Sequence, residues 1–194
     1  IWQLQPVMTY PTSNTLEGYA FIPGSGQVPT YTLTQFLLNA FEPGDARKNY
    51  WIDSTIINGQ TFYYPYKYKI KTGNGTTEYS MVLRLAETYL IRAEARAQQN
   101  NITGAQDDLN TIRDRAGLSN TMAGDQTTLL AAIEHERQVE LFCEWGQRWL
   151  DLKRSNIDVV LGAEKNGWKT TDALYPIPLT EIKTNPALVQ NPGY

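Results

Sequence analysis

The sequence contains a single cysteine and a single histidine. One cysteine excludes an internal disulfide and a four-thiolate zinc site, and one histidine excludes any site within the chain that needs two imidazoles. No apolar run approaches the ~20 residues of a membrane-spanning helix. Cationic residues are not in excess, since 17 Lys and Arg face 20 Asp and Glu for a net charge of −3. Charge therefore gives no case for binding nucleic acid or an anionic membrane face. A phosphate-cradling loop is missing too, because Gly24-Ser25-Gly26 is too short and opens no helix. The start, Ile1-Trp2-Gln3, lacks an initiator Met, a basic stretch and an apolar leader. A targeting signal is thus expected to be missing or removed. The apolar–polar alternation of Ile1 to Gln5 reads as a strand entered in mid-course, as in a piece cut from a longer protein.

What is present describes a folded protein. The 194 residues are 41% hydrophobic and 19% charged, enough for one ordinary domain or two small ones with a real core. The aromatics are uneven. Nine of the 12 tyrosines lie within the first 80 residues, in a segment of few charges, many turn residues and short β-prone runs. The composition shift near residue 80 divides a loop-rich part, 1–80, from a helical part, 81–194. No flexible linker marks it, so the expectation is one continuous domain of a longer protein.

In the first part, residues 34 to 41 have apolar residues at helical spacing and predict a short helix. Pro11 to Gly26 has turn chemistry throughout and predicts a surface loop. Phe62, Tyr64, Tyr66, Tyr68 and Ile70 alternate with Tyr63, Pro65, Lys67, Lys69 and Lys71. That is a strand with one apolar and one cationic face, kept to an edge or bulged by Pro65. Gly73-Asn74-Gly75 then turns the chain.

From Ser80 the period becomes 3.6. Val82, Leu85, Ala86, Tyr89, Leu90, Ala93 and Ala97 form one stripe, and Ala105, Leu109, Ile112 and Ala116 the next. Asn100-Asn101 separates them, Thr103 to Gln106 fits a capping box, and Gly117 stands where a left-handed C-terminal residue belongs. The small residues let the two helices approach closely. Arg84 to Gly117 spans 34 residues, the tetratricopeptide period, but only one such unit is visible and it needs a packing partner. A third helix is expected from about Thr128 to Phe142, interrupted at Trp145-Gly146, with a further turn or two over Arg148 to Lys153. The proline-rich tail from Tyr175 reads as extended and irregular.

Candidate chemistry is sparse. Glu136, Glu140 and Glu144 are spaced i, i+4, i+8 and share a face if the helix continues, with Arg137, Arg148 and Asp151 nearby. Glycoside hydrolysis needs two carboxylates flanking a bond, whereas neighbours on one helix point the same way. An ion-pair network that braces the fold is the stronger reading of these six residues. His135-Glu136 starts like a zinc-protease motif, but Val139 stands where the second His should be; a solvated or capping His135 is expected. Cys143, inside an apolar stretch, reads as a small buried thiol. Asn74-Gly75-Thr76 and Asn101-Ile102-Thr103 match the glycosylation pattern, which is common by chance. Nothing calls for a catalytic residue, a metal or a cofactor. Among the tyrosines, those at 62–70 are explained by sheet alternation. Tyr10 and Tyr19, which bracket the loop after Pro11, and the amide of Asn14 are the candidate ligand-binding residues, as flat faces and hydrogen-bonding groups suited to a sugar ring or another planar ligand.

Four blocks, in order and spacing, resemble the SusD/RagB family. They are Val82-Leu83-Arg84-Leu85-Ala86-Glu87-Thr88-Tyr89-Leu90-Ile91-Arg92-Ala93-Glu94-Ala95; Asp108 to Leu118; Glu136 to Phe142 with Glu144 to Arg154; and the ending Tyr175-Pro176-Ile177-Pro178 through Gln190-Asn191-Pro192-Gly193-Tyr194. Residues 1 to 80 fit more loosely, through Ile1-Trp2, Asp45-Ala46-Arg47 and Lys67-Tyr68. The resemblance implies a mostly α fold with irregular loops and a few short strands, carrying a tetratricopeptide-like helix hairpin. It implies a surface-exposed lipoprotein of the outer membrane of Bacteroidetes-type bacteria, with no catalytic activity. Such a protein captures a glycan or other nutrient for a TonB-dependent transporter of the SusC type. This chain would be the C-terminal portion, anchored through lipid on a part outside it, and Cys143 is not the lipidated residue. The four blocks are scaffold, so no ligand contact is carried across. A structural or adaptor module that docks a protein partner and binds no small molecule is the competing expectation.

Overall fold

The short helices of the first eighty residues each begin at a side chain that takes up an orphan backbone N–H. The computed structural model describes residues 1–7, 11–155 and 157–194. After β1 (Trp2–Leu4), α1 (Leu16–Phe21) is capped by the Thr15 hydroxyl, α2 (Gln35–Ala40) by Thr34 and α3 (Ala46–Trp51) by Asp45. The predicted helix at 34–41 is thus α2. The predicted loop at Pro11 to Gly26 instead contains α1, and Ser13, Asn14 and Thr15 before it are buried. Their turn-forming side chains are the ones that cap and pin the segment.

β2 (Ile52–Ile57) and β3 (Gln60–Pro65) pair antiparallel in a hairpin, with Ile57 opposite Gln60 and Ile52 opposite Pro65. Asn58 and Gly59 both take left-handed backbone, φ +50° and +79°, which is the geometry a two-residue hairpin turn requires. The strand expected to run to Lys71 stops at Pro65, whose nitrogen faces away from β2, and the last bond between the two segments runs from Tyr66 N–H to Trp51 O (2.8 Å). The next element is also a strand: β4 (Ser80–Leu83) pairs with β1, Trp2 opposite Leu83. Helix was expected from Ser80. Pairing with a strand far away in sequence overrides the local period.

α4 (Leu85–Gln98), α5 (Ile102–Arg115) and α6 (Gln126–Glu140) build the core. Ala86, Leu90, Ala93 and Ala97 pack with Ala105, Leu109 and Ile112, and Leu129 and Ile133 of α6 close the third side. The expected stripes hold from Ala86 onward; Val82 lies on β4, and Leu85 at the helix start is 57% exposed. α4 packs against both α5 and α6, so the hairpin's needed partner is the third helix. Both hairpin helices end in paired reverse bonds around a left-handed residue. Asn101 N–H reaches Arg96 O (2.8 Å) around Asn100, and Leu118 N–H reaches Arg113 O (2.9 Å) around Gly117. The cap of α5 is Asn101, whose Oδ1 accepts from Gly104 N–H, rather than the expected Thr103. Asp125 caps α6 in a reciprocal box with Thr128. Across the hairpin, buried Asp108 accepts two bonds from Arg92 (2.6 and 2.9 Å) and one from Arg96 (2.7 Å).

Residues Ile1–Trp145 form one unit and Gly146–Tyr194 a second; the composition shift at residue 80 falls inside the first. The second unit contains α7 (Gln147–Arg154), α8 (Ile157–Glu164), a 3₁₀ turn (Thr170–Ala173) and α9 (Leu179–Thr184). The tail is therefore less irregular than its prolines suggest. Amide side chains tie it down: Gln190 exchanges bonds with the Ile177 backbone, and Asn191 donates to Tyr175 O. Trp149 packs against Trp168 and Tyr175, at ring separations of 6.4 and 5.8 Å. Among the described residues, no helix is long and apolar enough to cross a membrane.

Fully buried alanine is what lets α4 and α5 approach. Ala93→Leu is expected to lower stability by about 1–3 kcal/mol through overpacking, while Ala95→Leu on the exposed face changes little. Urea midpoints of the two variants check this.

Candidate functional site

A carboxylate on the buried face of a helix is costly unless a cation is brought to it. Glu136 and Glu140 occupy such positions on α6, and Glu140 is wholly buried. The helix ends at Glu140. Cys143 and Trp145 then take left-handed backbone, φ +55° and +42°, and Glu144 reaches the same cluster from this turn rather than from a continued helix.

The cations come from elsewhere in the chain. Arg47, at the start of α3, donates to Asp45, to Glu136 (2.5 Å) and to Glu140 (3.0 Å). Arg84, the N-cap residue of α4, donates to Glu140 Oε1 (2.6 Å), Glu144 Oε2 (2.8 Å) and Glu140 O (2.7 Å). From the end of α5, Arg115 reaches Glu140 Oε2 (2.5 Å), while Arg113 bridges Glu42 (2.6 Å) and Glu136 (3.4 Å). Lys67 completes the cluster. Its ammonium bonds Glu144 and Glu140 O (2.8 Å) and lies over the rings of Phe142 (4.2 Å) and Trp51 (4.7 Å). Burial lowers the Lys67 amine to about 8 against the opposing pull of Glu144. Burial pushes the Glu140 carboxyl up, but Arg84 and Arg115 outweigh it and hold it below 4.5.

The remaining predicted residues fall as follows. Arg137 is buried on α6. Arg148 and Asp151 lie in the second unit, where they face Glu164 (3.7 Å) and Arg154 (3.0 Å). His135 bonds the Ala40 carbonyl at the end of α2 (2.8 Å), a capping role. Cys143 is exposed as a residue on the left-handed turn after Glu140, yet burial around its thiol pushes that group up to about 11. Among the described residues, no group of His, Cys, Asp and Glu could hold a metal ion.

Of the candidate ligand residues, Tyr10 lies outside the described residues. Asn14 is buried and both ends of its amide are engaged. Nδ2 donates to Gly75 O (3.1 Å), and Oδ1 accepts from Thr77 N–H and Glu78 N–H, both at 2.9 Å. It stitches the segment before α1 to the turn before β4. Tyr19 is 40% exposed on α1, with Lys71 Nζ 5.1 Å from its ring centre. α1 passes so close to the Ile70 carbonyl that a Cβ on Gly18 would meet that oxygen at 2.5 Å.

Sequence reasoning missed the cationic half of the cluster, Arg47, Arg84, Arg113, Arg115 and Lys67. The usable signal was two glutamates on the apolar stripe of a helix, which demand buried cations from elsewhere.

The family model described as SusD family matches residues 9–194. The chain belongs to the SusD family. Among curated relatives of this SusD-family chain, SusD-like protein P25 of Formosa agariphila is 35% identical over 130 residues, covering 59% of this chain and 24% of that protein. SusD-like protein P38 of the same organism is 32% identical over 123 residues, with the same coverage of each chain. A crystal structure of a SusD superfamily protein from Parabacteroides distasonis has the same fold over 100% of this chain and 50% of its own, at TM-score 0.75 and 24% identity. A SusD-like protein from Bacteroides fragilis aligns over 68% of this chain and 30% of its own, at TM-score 0.56 and 28% identity. The chain thus spans half the length of the first solved relative, and the matched stretch about a quarter of the curated ones. The mostly α fold with few short strands is that of the SusD superfamily.

Glu140→Ala strips the counter-charge from three arginines and is expected to cost about 3–5 kcal/mol. The depressed Glu140 carboxyl also sets a pH sign. Its stabilisation is present above the unfolded value of 4.5 and is lost as pH falls below that, through the folded value. Melting curves at neutral pH and below pH 4.5 are expected to show a smaller acid-induced drop for Glu140→Gln than for the wild type.

Proposed function

We propose that this chain is part of a cell-surface nutrient-capture protein that binds a glycan or other nutrient and hands it to a TonB-dependent outer-membrane transporter of the SusC type. The family match over residues 9–194 carries this reading. Binding without bond cleavage is the second element. The carboxylates that could have suggested hydrolysis, Glu136, Glu140 and Glu144, are each held by arginine or lysine. A general acid needs a raised pKa, whereas Glu140 is held low. Attachment to the membrane is assigned to a lipid anchor on a part of the protein outside this chain.

Isothermal titration of the full chain against a panel of soluble glycans and short peptides tests the reading. One class is expected to bind, and a bound glycan is expected to be recovered unchanged by chromatography. Absence of binding across the panel removes the capture role and leaves the adaptor module. Cleavage of the glycan overturns the non-catalytic part.

A further inference from the structure

The framework described above makes no use of a cleft between α3 and the β2–β3 hairpin. The cleft holds about 290 Å³. Its floor is apolar and buried, made by Leu38 of α2 and Ile52 of β2. Its walls are polar: Lys48 and Asn49 from the exposed side of α3, Asp53 and Ser54 from β2, and Tyr63 from β3. Ser54 and Tyr63 are cross-strand partners, so their side chains leave the same face of the hairpin. Asp53 and Tyr64 form the neighbouring pair and leave the other face. There the Tyr64 phenol donates to Asp53 (3.0 Å), and burial together with this bond pushes the phenol up to about 12.

The polar groups on the cleft side have capacity to spare. The Lys48 ammonium carries three donors, and one goes to Leu38 O (3.2 Å). Among the described residues, the Asn49 amide, the Ser54 hydroxyl and the Tyr63 phenol have no protein partner. The Tyr63 ring is 42% exposed and offers a flat apolar face beside these groups. A ligand matching this set has one C–H-rich face and a rim of hydroxyls that both donate and accept. The volume lies at the lower end of the ~300–1,000 Å³ of small-molecule sites, so it admits one ring rather than a chain of rings.

We infer that this cleft is a subsite for a single neutral pyranose ring, with Tyr63 stacking on its C–H face and Asn49, Ser54 and Lys48 bonding its hydroxyls. The inference rests on the capture reading and adds to it a place and a ligand unit. It is independent of Tyr10, Asn14 and Tyr19, which lie on a different segment.

The test is a two-dimensional amide NMR titration of the full chain with glucose, galactose, mannose and xylose, and with trisaccharides of glucose and mannose. Shifts are expected to concentrate on the Asn49 side-chain amide and the backbone of Ile52 to Ser54. Tyr63→Ala is expected to weaken binding roughly tenfold, the size of one lost aromatic contact. The Tyr63 carbonyl that accepts from Leu33 N–H is retained in that variant, and an unchanged melting temperature verifies its fold. Ser54→Ala supplies a second, sterically mild probe and is expected to weaken binding in the same direction. Sugars that bind with shifts elsewhere, and equally well to Tyr63→Ala, overturn the subsite and leave glycan capture standing. Binding of the peptide panel alone also overturns the subsite, while nutrient capture stands. Absence of any binding overturns both.

Discussion

A helix that ends inside a protein leaves carbonyl groups without partners and a partial negative charge at its last turn. In this chain α6 ends at Glu140, which adds a full negative charge at the same place. The Glu140 carboxylate and carbonyl together collect Arg47, Arg84, Arg115 and Lys67. Arg84 answers both demands, Lys67 takes up the carbonyl, and Arg47 and Arg115 neutralise the carboxylate. The cluster is therefore not an ornament on a finished bundle. It is the means by which α6 can terminate in the interior.

The sources of those cations explain the rest of the first unit. They come from α3, from the segment after β3, from the N-terminus of α4 and from the end of α5. Several of these elements are too short to hold their shape alone. A six-residue helix such as α3 is well below the ~12–15 residues at which isolated helices become marginal, and a two-stranded hairpin is no better placed. Side-chain bonds to Glu136 and Glu140 give α3 a fixed seat through Arg47, and α3 leads directly into β2. Buried ion pairs add little net stability over apolar packing, but a misplaced partner is costly. Such a cluster accordingly selects one arrangement of the segments more than it deepens the energy of the fold.

The helical scaffold was legible in the sequence because its signals are local. The alanine and leucine stripes of α4 and α5 and the left-handed Gly117 appear where the period and the turn chemistry put them. What escaped was set by distance. β4 reads as helix until its partner β1 is seen, and Lys67 reads as an outward edge lysine until Phe142 and Trp51 cover it. Asn58-Gly59 is a different case. It is a strong local hairpin signal, and reading it would have placed β2 and the start of β3 correctly. The family resemblance named the fold but was silent on the cleft, because its four blocks begin at Val82 and the cleft residues all precede them.

The division between frame and cleft has a physical logic. Groups that hold the frame together are committed to it: Asn14 bonds three backbone groups, and Glu140 accepts from three guanidiniums. A polar group committed in this way has its identity fixed by the fold. The polar groups along the outer side of α3 and one face of the hairpin retain free donors and acceptors. Their backbone is fixed from behind, by Arg47 and by the Leu33 bond to Tyr63. Side chains in that position can be exchanged without disturbing the ion cluster, because the segment's seat is on its other side. Recognition in a binding protein of this architecture can thus vary at Asn49, Ser54 and Tyr63 while Arg47, four residues before Trp51 on the same short helix, stays under the constraint of Glu136 and Glu140.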